Sequence, residues 1–236
     1  DSFTPDNGVL IAMNKDSLRG RNGGPNAFNS FIWVIDAHPE DIDMVDYVRP
    51  NGDSVKRTIA DYRQLNDALF HAGPDSGSKF EWQDTPNRLH FYVIDLQRDD
   101  RGIRSYTLAI RSLDGAGPHT RGVALDAPAG QNVRQANSPV TFTLRNTGTS
   151  AQTDPAAHPQ DARAYVDSDV YRLSVSVEGE GWSAQLPNAL AAVPFGEDAP
   201  VTVYVTPGTG GGTVTLQATS ESDPSKSANV AWEVAR

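Results

Sequence analysis

From residue 138 onward, apolar and polar residues alternate with a period of two. In "VTFTL" (140–144), Val140, Phe142 and Leu144 alternate with threonines. "YRLSVSV" (171–177) puts Tyr171, Leu173, Val175 and Val177 on one side. The same spacing groups Trp182, Ala184 and Leu186, then Val201, Val203 and Val205. It returns in Val214, Leu216 and Ala218, and in Ala228, Val230, Trp232 and Val234. Successive side chains of a strand point to opposite faces, so this pattern gives each strand one apolar face. A helix would need a period near 3.6. Six or seven such strands in about a hundred residues, with Gly, Pro and Asp turns between them, predict an antiparallel β-sandwich.

The preceding sequence is less regular and richer in charge, and the texture changes near residue 128. "DAPAGQNVRQANSP" (126–139) holds two prolines, a glycine and small polar residues, which is linker chemistry. The expected division is therefore 1–127, a mixed but mostly β domain, and 128–236, the sandwich. In the first part "GVLIAM" (8–13), "SFIWVID" (30–36), "LHFYVIDL" (89–96) and "SYTLAIRSL" (105–113) read as strands. Two are nearly continuous apolar runs, which implies burial on both faces. "TIADYRQLNDALF" (58–70) fits a helix, with Thr58 and Asp61 as a capping box and Gly73-Pro74 as a stop. "DLQRDDRG" (95–102) reads as a charged hairpin turn.

Charge and composition remove several functions. The formal net charge is −10, with 20 basic residues scattered along the chain and only four of them lysine. Nucleic-acid binding needs a cationic surface to neutralise phosphate, so no nucleic-acid partner is expected. Cysteine is absent, which excludes disulfides, thiolate metal sites and cysteine nucleophiles. No run of 18 apolar residues occurs, so no membrane-spanning helix is expected. "TPGTGGGT" (206–213) is not a phosphate-binding loop: it has no lysine and leads into an alternating strand rather than a helix. A flexible hairpin is the better reading.

Candidate chemistry centres on "FIWVIDAHPED" (31–41), where an apolar strand runs into Asp36, His38, Glu40 and Asp41. The five histidines (38, 71, 90, 119 and 158) lack the His-x-x-x-His spacing of a helical zinc peptidase site. Pro39 pushes His38 towards extended backbone, away from mid-helix. No Gly-x-Ser-x-Gly nucleophile elbow is present. No catalytic residue is assigned. The clustered oxygens of Asp36, Glu40, Asp41 and Asp43 could hold Ca²⁺, as hard ligands do, against the plainer reading of an acidic loop leaving a core strand. "TSAQTDPAAHPQDARAYVDSD" (149–169), with His158 and Asp154, Asp161, Asp167 and Asp169, reads as a solvated loop. Of the four tryptophans, Trp33, Trp182 and Trp232 fall in strand patterns, and Trp82 is the one candidate for an exposed sugar-binding aromatic.

Two stretches resemble known families. "GVLIAM" followed by Val34-Ile35-Asp36-Ala37-His38-Pro39, and later Asp67, Ala68 and Phe70, is similar to the region after the zinc motif of immune inhibitor A-like secreted metallopeptidases. This resemblance covers roughly residues 1 to 115. The segment Val214-Thr215-Leu216-Gln217-Ala218-Thr219-Ser220, with Ala228, resembles Ig-like modules appended to secreted bacterial glycosidases and peptidases. The family's His-Glu-x-x-His helix has no counterpart here. The resemblance therefore implies the non-catalytic C-terminal part of a secreted, extracellular metallopeptidase-like protein. Zinc would belong to an upstream peptidase domain, which would be this chain's partner, together with a protein substrate or cell-surface glycan. The alternative is a stand-alone extracellular module that binds carbohydrate or a surface.

Overall fold

The computed structural model describes residues 8–13, 33–40, 43–58, 66–130, 132–152 and 167–234. Within them the chain is mainly β, with fifteen strands and no helix element. The C-terminal strands are β8 (Ala124–Asp126), β9 (Ser138–Arg145), β10 (Ser168–Glu178), β11 (Ser183–Gln185), β12 (Leu190–Pro194), β13 (Asp198–Thr206), β14 (Gly212–Ser220) and β15 (Ser227–Val234). They form two four-stranded antiparallel sheets, in the orders β8-β9-β13-β11 and β12-β10-β14-β15. The apolar sets of the alternating segments, Ala228 apart, meet in one core. Val140, Phe142 and Leu144 of β9 and Val201, Val203 and Val205 of β13 face Tyr171, Leu173, Val214, Leu216 and Trp232 of the other sheet. Trp182 and Leu186 close one end of that core.

One sequence expectation changes here. The glycine loop after Thr206 is not a hairpin, because β13 and β14 belong to different sheets. It is a crossover, and it is packed rather than loose: a Cβ at Gly212 would lie 2.5–2.9 Å from the ring of buried Trp182. The stretch 126–139 lies between β8 and β9, and β8 pairs with β9 through Leu125 and Leu144, so strand pairing of the C-terminal sheets begins before that stretch.

The N-terminal strands are β1 (Ile11–Met13), β2 (Trp33–Ile35), β3 (Asp43–Val48), β4 (Ser54–Thr58), β5 (Glu81–Asp84), β6 (Leu89–Arg98) and β7 (Arg104–Ser112). β1 pairs with β2, β3 with β4, and β5-β6-β7 make a three-stranded sheet. Part of the expected acidic loop is thus the strand β3. The helix expected over 58–70 lies mostly outside the described residues. Of its described residues, Thr58 ends β4, Asn66 and Asp67 are helical, and Phe70 is extended and exchanges backbone hydrogen bonds with Val9. Of the charged turn expected over 95–102, residues 95–98 belong to β6, and only 99–102 make the turn between β6 and β7, where Asp99 Oδ1 accepts from the amides of Arg101 and Ile103.

β6 is buried on both faces, as its apolar run requires. On one side Val93 packs with Ala37 and Phe70. On the other, Tyr92 and Ile94 pack with Val170 of β10 and Leu190 of β12. The three-stranded sheet therefore lies against the C-terminal sheets, which explains why Asp169, Val170 and Tyr171 are buried in succession. The same contact brings Gly73 so close that a Cβ there would meet the Pro187 carbonyl at 2.6 Å. Gln185 donates to Asp75 and Asn188 to Asp95 across it.

Candidate functional site

His38 is built into the backbone rather than offered to a ligand. Its Nδ1 lies 2.8 Å from the Asp67 carbonyl oxygen and its Nε2 3.0 Å from that of Gly77. Carbonyl oxygens only accept, so a ring that bonds both must donate from both nitrogens, as imidazolium does. The Asp67 carbonyl raises the His38 pKa, burial opposes this, and the Gly77 carbonyl and the carboxylates of Asp67 and Asp36 add to the rise. Asp36 Oδ1 accepts from the His38 amide at 2.8 Å, and Glu40 is exposed. Asp41 lies outside the described residues, and of Asp43 only the backbone, in β3, is described. Asp36 thus sits in a turn with His38, and the side chains of Asp41 and Asp43 lie outside what the structure describes.

Among the described residues a dense polar constellation lies elsewhere, at the seam between β5-β6-β7 and β10-β14. Arg172 of β10 donates from Nη2 to Glu81 Oε2 of β5 and from Nε to Glu221 Oε1, both at 2.6 Å. His90 Nε2 donates to the same Glu81 oxygen at 3.0 Å. The Tyr92 hydroxyl donates to Glu221 Oε2 and accepts from Arg111 Nε, each at 2.7 Å. The hydrogen bond from His90, against the opposing effect of burial and with that from Arg172 assisting, lowers the Glu81 pKa to about 2. Burial pushes Glu221 up, but Arg172 and Tyr92 hold it below its ordinary value. Burial also raises the Tyr92 pKa, so its hydroxyl stays a donor.

Glu81, His90 and Glu221 offer ligand atoms within 4.8 Å of one another, the geometry from which a metal site could be made. The donor set does not fit one. Arg172 already bridges the two carboxylates and Arg111 stands 3.9 Å from Glu221. Two guanidinium groups balance two carboxylates, and a divalent cation would add uncompensated charge to a half-buried site. The cluster is a clamp between the two halves of the chain, in which the Tyr92 hydroxyl also lies 2.7 Å from His90 Nδ1. Sequence reading missed it because partners such as Tyr92 and Glu221 are 129 positions apart. The one sequence signal was the apolar run of β6 interrupted by His90, which places an imidazole in a core.

A second buried pair fastens the connector. Asp169, expected in a solvated loop, is instead buried at the start of β10. It accepts from Arg121 Nη1 at 3.0 Å, Ser220 Oγ at 2.6 Å and Ser222 Oγ at 2.9 Å. Arg121 also donates to the Ala116 carbonyl and stacks over Phe195, 5.3 Å from its ring centre. Between this pair and β7 opens a cleft of about 680 Å³, lined by Leu108, Ile110, Arg111, His119, Arg121 and Asp169 among others. Trp82 is half-buried and stacks on Phe91 with ring centres 5.5 Å apart.

Comparison with known proteins fits this two-part build. Residues 1–113 match a family model described as a middle domain, and residues 123–236 match one described as a peptidase M6-like domain. Together with the relative below, they mark the chain as metallopeptidase-related. That relative, from Arthroderma benhamiae, carries the provisional name secreted metallopeptidase and is 46% identical over 243 residues. The alignment takes in 99% of this chain and 34% of the relative, so the chain spans about a third of that protein's length. Among the described residues no helix is long and apolar enough to cross a membrane.

Proposed function

We propose that the chain is the non-catalytic C-terminal region of a secreted, extracellular zinc metallopeptidase of the immune inhibitor A-like kind. Its role is to support the peptidase fold and hold it towards its substrate or a surface. The observation that carries this reading is the Arg172 fork between Glu81 and Glu221. It ties residues of the two family matches into one docked unit and uses as struts the very groups that could have bound a metal. The relative's name and greater length support a preceding peptidase part. We propose that the joint between the two parts lies between Leu113 and Val123, before β8, rather than at 127/128; the matched ranges 1–113 and 123–236 support this reading.

We read the C-terminal sheets as an Ig-like sandwich. The order β8-β9-β13-β11 against β10-β14-β15 follows the A-B-E-D and C-F-G sheets of that fold, with β12 added beside β10. No metal enters the supporting role, and a calcium ion at Asp36, Glu40, Asp41 and Asp43 rests on the sequence alone.

The test is to express the longer secreted protein whole and without residues 1–236, and to assay residues 1–236 by themselves. Deletion is expected to cut the yield of folded, active peptidase, and the isolated chain to show neither stoichiometric zinc nor proteolysis. Zinc at one equivalent with proteolysis abolished by His38→Ala would make the chain an enzyme in its own right and overturn the proposal.

A further inference from the structure

All the large hydrophobic side chains that the described residues leave exposed lie between Leu10 and Ile110, and none lies in the C-terminal sheets. The sandwich has buried its apolar surface; the N-terminal half has not. The open surface is clearest on β7. Leu108 is 54% exposed and Ile110 59%. Both lie on the sheet face opposite Tyr92, in cross-strand register with Val93 and Phe91, and Phe91 in turn pairs with Trp82. This makes one apolar row, Trp82-Phe91-Ile110, that is covered at its β5 end and bare at its β7 end.

β7 is also the last strand of its sheet, and no strand among the described residues pairs with its outer edge. Residues 107 to 112 run along the cleft of about 680 Å³. A long edge strand with bare apolar side chains is a template for another strand, and proteins normally blunt or cover such edges. Here no proline or bulge interrupts β7 itself; the register shift is on the β6 side, at Val93/Asp95.

We propose that the edge and outer face of β7 are the seat of the part of the longer protein that precedes this chain, which lays an extended segment along Leu108 and Ile110. Strand addition of this kind gains affinity from main-chain hydrogen bonds and register from alternate side chains. The occupant presupposes the longer protein proposed above. It is chosen over a second copy because residues 1–113 match a family described as a middle domain, and because two-thirds of the relative lies outside the alignment. A middle domain has a neighbour on each side, and only the C-terminal one is accounted for.

The test uses the whole secreted protein with a photoreactive benzoylphenylalanine at position 110, and in a separate sample at exposed position 174. Mass spectrometry of cross-linked peptides is expected to join position 110 to residues preceding Asp1 of the same molecule, and position 174 to none of them. Leu108→Lys in the position-110 protein is expected to abolish that cross-link. Cross-links from position 110 that join two copies, that stay within residues 1–236, or that do not form at all would overturn this docking and leave the supporting role standing. An intact mass no greater than that of residues 1–236 would take down both.

Discussion

At the scale of the residue, two buried or bridging groups decide how tightly parts of the chain are held. Asp169 is fully buried with Arg121 as its charge partner. Removing one member of a buried pair leaves the other charge stranded, at a cost of about 3–5 kcal/mol. Asp169→Ala is expected to lose that much in denaturant unfolding, and a loss below about 1 kcal/mol, the level of surface pairs, would contradict the burial argument. His38 gives a pH signature. Its folded pKa is raised, so the folded state holds the proton more tightly than the unfolded one. The stabilisation is complete below about pH 6.5 and is lost as pH rises through the folded value. Wild type minus His38→Ala stability is therefore expected to shrink as pH rises above about 6.5 in thermal melts, and a difference that grows with pH would reverse the assignment. Neither role could be read from the sequence. Asp169 sits after a polar stretch that looks solvated, and His38 among acids looks like a ligand.

At the scale of the element, the alternating strands of the C-terminal half were legible because each has one buried face and the pattern survives intact. The short β8 and β12 escaped notice, as did β3, β4 and β5, whose sequences show neither an alternating nor a continuous apolar run. The glycine crossover was misread as a hairpin because the sequence shows the turn but not which sheet each neighbour joins. Its glycines make opposite demands. Gly210 has a φ of +71° and open space, with nothing within 4 Å of where a Cβ would stand, whereas Gly212 abuts Trp182. Gly212→Ala is expected to cost about 1–3 kcal/mol by overpacking against the ring. Trp182 fluorescence should shift with it and stay unchanged in Gly210→Ala, whose cost is backbone strain alone. A neutral Gly212→Ala would mean that the crossover is loose after all.

At the scale of the whole molecule, the mainly β character was legible in the sequence, but the seam between β5-β6-β7 and the C-terminal sheets was not. Glu81 and Arg172 are 91 positions apart, and nothing in either local sequence marks them. The seam has its own pH limit. Because His90 and Arg172 lower the Glu81 pKa to about 2, its contribution is present above the ordinary value of about 4.5 and lost as pH falls from there towards 2. Acid is therefore expected to undock the two halves before the sandwich core melts, visible as loss of near-ultraviolet dichroism from Tyr92 ahead of Trp232. Simultaneous loss would place the acid-sensitive group elsewhere.

Arg172 docks the two halves as one unit, and differential scanning calorimetry of residues 1–236 tests this docking. The wild-type chain is expected to unfold in one transition and Arg172→Ala in two, with the first moved to lower temperature. Two transitions in the wild type, or one unaltered transition in Arg172→Ala, would contradict it.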